Sequence, residues 1–225
     1  MTRAVVVFSA GQEWAAAKEF YAPAGLERTP YGECFFHRQD AWDLTLIHGG
    51  WGKVPAAASA EYALTRWQPD LLVNLGTCGG FAGTITAGEV VLADRTLVYD
   101  IVEQMGDPAA AIEHFSTRLD LTWLREPYPQ AVRRGTLVSA DRDIVAEDIP
   151  RLAAYGAPAG DWESGAIAWV CARRGTRCLI LRGVSDVVGA QGGEAYGNAG
   201  LFAERARGVT RGLLEHLPLW LKCVR

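Results

Sequence analysis

Cysteine is sparse and unpaired in this chain. Cys34, Cys78, Cys171, Cys178 and Cys223 are scattered, odd in number and never spaced as C-x-x-C. That pattern argues against a disulfide framework and a thiolate metal site, and it reads as reduced thiols in a cytoplasmic protein. His37, His48, His114 and His216 show neither H-E-x-x-H nor clustered spacing, so no metal and no other cofactor is expected. Long apolar runs are missing as well. None reaches transmembrane length, and the run 4–8 behind Met1-Thr2-Arg3 is too brief for a signal-peptide core. The formal charge is −4 with Lys and Arg evenly spread, which leaves no basic stripe for a nucleic acid or a membrane surface.

What is present is apolar material in alternating runs. With 49% hydrophobic residues in 225, a single domain spanning 1–225 has ample core. Strand-like runs at 4–9, 71–75, 137–139 and 177–184 alternate with helical patterns at 13–20, 55–67, 148–154 and 165–174, the order of a mostly parallel α/β sheet. Residues 34–38 and 42–48 read as an antiparallel pair across Gln39-Asp40. Two further strands are expected at 89–93 and 97–102, a surface excursion at 103–128, and a closing helix over 194–217 broken near its start.

Three segments stand out. Gly76-Thr77-Cys78-Gly79-Gly80-Phe81 follows a buried strand and reads as a loop whose amides and Thr77 hydroxyl suit a sugar or small anion; a tight structural turn fits equally. Asp161-Trp162-Glu163 opens a helix, where capping alone explains the acids. Arg182-Gly183-Val184-Ser185-Asp186 ends a strand, so Glu163 and Asp186 are placed to face one crevice at the carboxyl ends of strands. Gly49-Gly50-Trp51-Gly52-Lys53-Val54 hints at a P-loop, but Ile47 and Val54 stand where glycine and Ser or Thr are required. A strand-to-helix turn is the better reading.

Together, Asn74-Leu75-Gly76-Thr77-Cys78-Gly79-Gly80, Asp161-Trp162-Glu163-Ser164-Gly165-Ala166-Ile167-Ala168 and the Arg182–Asp186 stretch resemble the nucleoside phosphorylase/nucleosidase superfamily. Within it they are most similar to the 5'-methylthioadenosine/S-adenosylhomocysteine nucleosidase branch. The resemblance implies a three-layer α/β/α domain with a central mixed, partly barrel-like sheet, a small-molecule nucleoside substrate, no cofactor, and a homo-oligomer, with a dimer favoured. It implies that Asp186 protonates N7 of a leaving purine and that Glu163 holds the ribose hydroxyls. It also brings Thr77, Cys78, Gly79, Asp161, Trp162, Arg182 and Ser185 to the substrate, with Trp162 where the family has Met.

Two positions depart from the family pattern. The water-orienting Glu of an A-M-x-x-E arrangement is in register with Trp14, with Glu13 one residue early. Asp143, followed by Ile144, takes the place of an aromatic ring that stacks on adenine; a solvated turn is the alternative there. Phosphorylases of the hexameric branch carry a phosphate-binding Arg where Asn74 stands, so water is the expected nucleophile. Phosphorolysis, a different modified nucleoside and binding without turnover remain as alternatives.

Overall fold

A computed structural model describes residues 2–225. The first half holds β1 (Thr2–Phe8), α1 (Gly11–Tyr21), β2 (Glu27–Arg28), β3 (Glu33–Gln39), β4 (Trp42–His48), α2 (Lys53–Trp67), β5 (Leu71–Phe81) and β6 (Val90–Val98). Then come α3 (Pro108–His114), β7 (Ser116–Arg118), β8 (Arg133–Ser139), α4 (Ile149–Ala153), β9 (Ala159–Asp161), α5 (Ser164–Arg174), β10 (Arg177–Gly189), β11 (Gly192–Gly193) and α6 (Ala199–Lys222).

The strands form one mixed sheet. β10, β6, β8, β9 and β5 pair in succession, and β5 pairs back onto β10, which closes a barrel-like ring. From β5 the sheet continues through β1 and β4 to the β3 and β2 edge. Alternate side chains of β1 enter opposite layers. Val5 and Val7 pack with Ala56, Ala60 and Ala63 of α2 and Ile167 and Ala168 of α5, whereas Val6 and Phe8 pack with Trp14 of α1 and Leu213, Leu214 and Leu217 of α6. Helices on both faces give the three layers.

Several boundaries differ from the sequence reading. The glycine segment after Leu75 is no loop, because β5 runs unbroken to Phe81, paired with β10 on one side and β9 on the other. Gly76 and Gly80 serve close packing. A Cβ on Gly80 would lie 2.6 Å from Ile85 and 2.8 Å from Val184. The strands expected at 89–93 and 97–102 are one strand, β6. The 103–128 excursion carries α3 and β7 and buries Leu121, Trp123 and Leu124 in the core. The closing helix starts at Ala199, capped by the Asn198 side chain on Leu201 N–H. Antiparallel pairs outside the β4–β1–β5–β10 core make the sheet mixed rather than mostly parallel.

Candidate active site

β1, β5 and β10 run parallel, so their carboxyl ends meet at one edge of the sheet. Beneath that edge lies Arg182, 1% exposed. Its guanidinium donates to Asn74 Oδ1 at 2.8 Å, Ser164 Oγ at 3.0 Å and the Thr77 carbonyl at 3.3 Å. Ion pairs reach Asp161 at 3.0 Å, Glu163 at 3.5 Å and Glu13 at 3.8 Å. Burial opposes this charge, but the surrounding carboxylates, Asp161 first, hold the guanidinium pKa above its ordinary value. Room for the cluster comes from Gly76, where a Cβ would lie 2.3 Å from Arg182 Nη1 and 2.6 Å from Glu13 Oε1.

Glu13 sits in the first turn of α1, its Oε2 accepting from Ser9 N–H at 3.2 Å and Ala10 N–H at 3.0 Å. Its Oε1 accepts from Thr77 N–H at 2.7 Å and Thr77 Oγ at 2.9 Å. The neighbouring Trp14 turns into the core, stacked on His48, with its indole N–H on Glu33. Glu13 therefore reaches the carboxylate cluster and Trp14 does not. The His48 ring, which ends β4, bonds to the Ser9 carbonyl.

Asp161 ends β9 and turns the chain into α5. It accepts from Ser139 Oγ at 2.6 Å, from Ser164 Oγ, and from the backbone N–H groups of Glu163 and Ser164. The capping geometry and the Arg182 ion pair occupy both its oxygens. Glu163 accepts from Gly52 N–H at 3.1 Å. Burial pushes the Glu163 carboxyl up to about 8, Asp161 and Glu13 push the same way, and Arg182 opposes them.

The Gly52 turn is itself clamped. Gly50 and Gly52 have φ of 85° and 88°, the left-handed geometry that the sequence assigned to a turn. Lys53 N–H donates to Asp141 Oδ1 at 2.7 Å, and Lys53 Nζ pairs with Asp100 and, at 3.6 Å, with Asp141. Asp141 N–H donates to Asp100 at 3.0 Å, which completes the ring. Trp51 and Trp162 flank this turn with indoles stacked at 4.9 Å.

Asp186 lies across β5 from this cluster, since Gly79 pairs with Asp186 on one side and Gly160 on the other. A bulge between Val184 and Asp186 leaves Ser185 unpaired in the ladder, and the Ser185 hydroxyl donates to Asp186 at 2.9 Å. Burial raises the Asp186 pKa against the lowering by the Ser185 hydroxyl, the Ala195 N–H and Arg205. Burial also raises the pKa of the Cys78 thiol, which packs in the core between sheet and helices, so this residue offers the crevice backbone only. A carboxyl whose proton is held more tightly by burial on one side of β5 and a carboxylate cluster on the other is an arrangement for breaking a bond by protonating one fragment while cation character develops on the other.

A family model described as the Phosphorylase superfamily matches residues 2–217. The chain belongs to this superfamily. Among its relatives, the 5'-methylthioadenosine/S-adenosylhomocysteine nucleosidase of Bacillus pumilus is 30% identical over 173 residues, covering 68% of this chain and 72% of the relative. The enzyme of the same name from Geobacillus kaustophilus is 28% identical over 192 residues, 76% of this chain and 80% of the relative. The S. pneumoniae nucleosidase, solved with a transition-state inhibitor, superposes with a TM-score of 0.77 at 20% identity over 99% of both chains. The Helicobacter pylori nucleosidase gives 0.79 at 14% identity, covering 99% of this chain and 98% of the other. These superpositions establish the superfamily fold.

The remaining sequence candidates lie toward the rim. Asp143 is exposed, while Ile144 is buried and its carbonyl accepts from the Tyr196 hydroxyl at 2.9 Å. The sequence reading missed Tyr196, Arg205 and Asp100. Arg205 donates to the Ser185 carbonyl at 3.2 Å and pairs with Glu194 at 2.6 Å. No local signal marked them, because each acts through a contact distant in sequence. Among the described residues no group of three or more His, Cys, Asp or Glu side chains is arranged to hold a metal ion.

Proposed function

We propose that the chain hydrolyses the N-glycosidic bond of a 5'-substituted adenosine such as 5'-methylthioadenosine or S-adenosylhomocysteine, the substrates named for its relatives. The observation that carries this reading is the placement of two buried carboxyls on either side of β5, Asp186 on β10 and Glu163 just after β9, each with its pKa raised. Asp186, whose carboxyl pKa burial raises, donates a proton to N7 of the leaving purine, so the base departs neutral. Glu163, as a carboxylate, accepts from the ribose hydroxyls and stabilises the positive charge that develops on the sugar. Glu13 and the Thr77 hydroxyl bonded to it orient the attacking water.

Water rather than phosphate is the nucleophile on the same geometry. Asn74 spends its side chain on the Val7 carbonyl, Ser164 and Arg182. Arg182 is itself engaged by carboxylates and has no face to offer a dianion. A nucleosidase for a base other than adenine is a second reading, favoured by Asp143 in the aromatic position and by the Tyr196 hydroxyl on the Ile144 carbonyl.

The protein works as a homodimer in the cytoplasm. Support for the dimer comes from Trp51, Val54, Val102 and Met105, exposed apolar side chains on the two segments joined by the Lys53–Asp100 ion pair. Five free cysteines suit a reducing compartment, and among the described residues no helix is long and apolar enough to cross a membrane.

The test is product analysis for a panel of purine nucleosides with and without phosphate, beside Asp186→Asn. Free base plus free sugar without phosphate, lost in the variant, is the expected result. Sugar 1-phosphate formed only with phosphate would overturn hydrolysis.

A further inference from the structure

A second concavity lies at the opposite end of the sheet, lined among others by Arg3, Phe36, Arg38, Asp43, Arg66 and Trp67, with a volume of about 540 Å³. Arg3 lies in the first residues of β1 and Ser9 follows its end, so the groove and the carboxylate cluster are about 20 Å apart at ~3.3 Å per residue. The groove's volume is in the range of small-molecule sites.

Strand register assembles its charge. Arg3 pairs with Asp43 on β4, and Asp43 pairs with Arg38 on β3, giving a row of Arg, Asp and Arg across three strands. Residues two positions on lie on the same face, and there Phe36 pairs with Thr45. The carboxyl-terminal turn of α2 brings Arg66 and Trp67 over this face. Three guanidiniums and one carboxylate leave the groove with a surplus of two positive charges, in a chain whose formal charge is −4. Among the described residues the Arg3 and Arg66 side chains make no ion pair. Phe36 is 54% exposed, an aromatic ring open to the groove.

We propose that this groove binds a small organic anion with a flat apolar ring, the ring lying between Phe36 and Trp67 and a phosphate or carboxylate head taken by Arg3 and Arg66. Guanidinium forks match either head group in a way that a neutral ligand cannot exploit. The exposed ring supplies apolar area that inorganic phosphate alone cannot use. The site is separate from the nucleoside crevice and stands whether or not the hydrolase reading holds.

Titration calorimetry of the full chain with 1-naphthyl phosphate, 1-naphthoate, neutral 1-naphthol and inorganic phosphate tests it. Saturable binding of either naphthyl anion, about tenfold tighter than naphthol or phosphate, is expected, and the tighter of the two anions assigns the head group. Arg3→Gln with Arg66→Gln is expected to weaken binding about tenfold or more while leaving nucleoside hydrolysis unchanged; Asp186→Asn leaves this binding in place. The wild-type protein gives a measurement that does not depend on variant folding. In spectra of the tryptophan indole N–H groups, assigned with Trp67→Phe, the Trp67 signal shifts on adding 1-naphthyl phosphate and the Trp51 and Trp162 signals do not. Equal binding of naphthol, affinity unaltered by the arginine substitutions, or shifts at Trp51 and Trp162 instead of Trp67 would each overturn the proposal.

Discussion

The two sides of β5 are built differently. Around Asp161 at the end of β9, Arg182 reaching over from β10 joins Glu163, Glu13, Ser164 and Asn74 in a buried network tied to the barrel. On the β10 side, Asp186 has the Ser185 hydroxyl and the Ala195 N–H, and the segment after β10 is held by Arg205 and by one Tyr196 hydrogen bond to Ile144. A buried network fixes geometry and is costly to disturb, whereas a lightly tied segment can yield to an incoming base. The proposed function puts sugar recognition on the rigid side and base protonation on the adaptable one. Substitutions on the two sides should divide accordingly into losses of stability and losses of turnover.

The largest effect is expected from Asp186→Asn. An amide has no acid proton for N7, so kcat falls by about 10²–10⁴-fold with little change in unfolding free energy. Single-turnover kinetics beside urea denaturation measures both. A large stability loss with intact turnover would erase the proposed division. Arg182→Met tests the other side. It leaves Asp161, Glu13 and the Glu163 carboxyl buried without their cation, and the expected cost is about 3–5 kcal/mol in the urea midpoint analysis.

Glu163→Gln sharpens the same contrast through pH. The folded chain holds the Glu163 proton up to about 8 against an ordinary value of 4.5, so it binds that proton more tightly than the unfolded chain does. Glu163 therefore costs nothing below the unfolded value, and stability is lost as pH rises from 4.5 through about 8. The variant cannot ionise. Its melting temperature should approach or exceed that of the wild type at pH 9 and fall behind it at pH 5. A constant difference across that range would mean that the carboxyl ionises freely in the folded state.

How much of this was legible in the sequence follows from where each bond partner lies. Local patterns revealed β1, the β3–β4 hairpin, α2 and α5, because alternation and helical periodicity report burial within a single element. Glu163, Asp186 and Arg182 were legible as motif residues, and the Gly50-Trp51-Gly52 turn by its glycines. β5 was cut short because Gly76, Gly79 and Gly80 read as turn formers. Gly76 is needed to leave room for Arg182 and Glu13, and Gly80 for Val184 and Ile85, neighbours that only the tertiary fold brings near. The Asp100–Lys53–Asp141 ring spans segments far apart in the chain, so no window of sequence contains it. Glu13 illustrates the same limit, since its one-residue shift was visible but its landing on Thr77 was not.

That clamp makes a smaller prediction. Asp141→Asn keeps the shape but weakens the hold on Lys53 and so on the Gly52 N–H that fixes Glu163. Because Glu163 is proposed to hold the ribose, KM should rise about tenfold, the scale of one charged hydrogen bond, with kcat changed less. A fall in kcat alone would place Asp141 with the base side of the crevice.

The smallest effect is expected at Tyr196. Its hydroxyl donates to the Ile144 carbonyl, and its ring lies against Gly193, where a Cβ would come within 2.5 Å. Tyr196→Phe removes the hydrogen bond and keeps the ring. If the segment after β10 is the adaptable side, losing one partly exposed bond costs no more than about 1 kcal/mol and changes kcat/KM by less than about fivefold. The freed Ile144 carbonyl then accepts from a base bearing an amino group, so the ratio of kcat/KM for adenosine-type over inosine-type nucleosides should rise. A loss of turnover comparable with that of Asp186→Asn would instead make this segment as rigidly required as the Arg182 network.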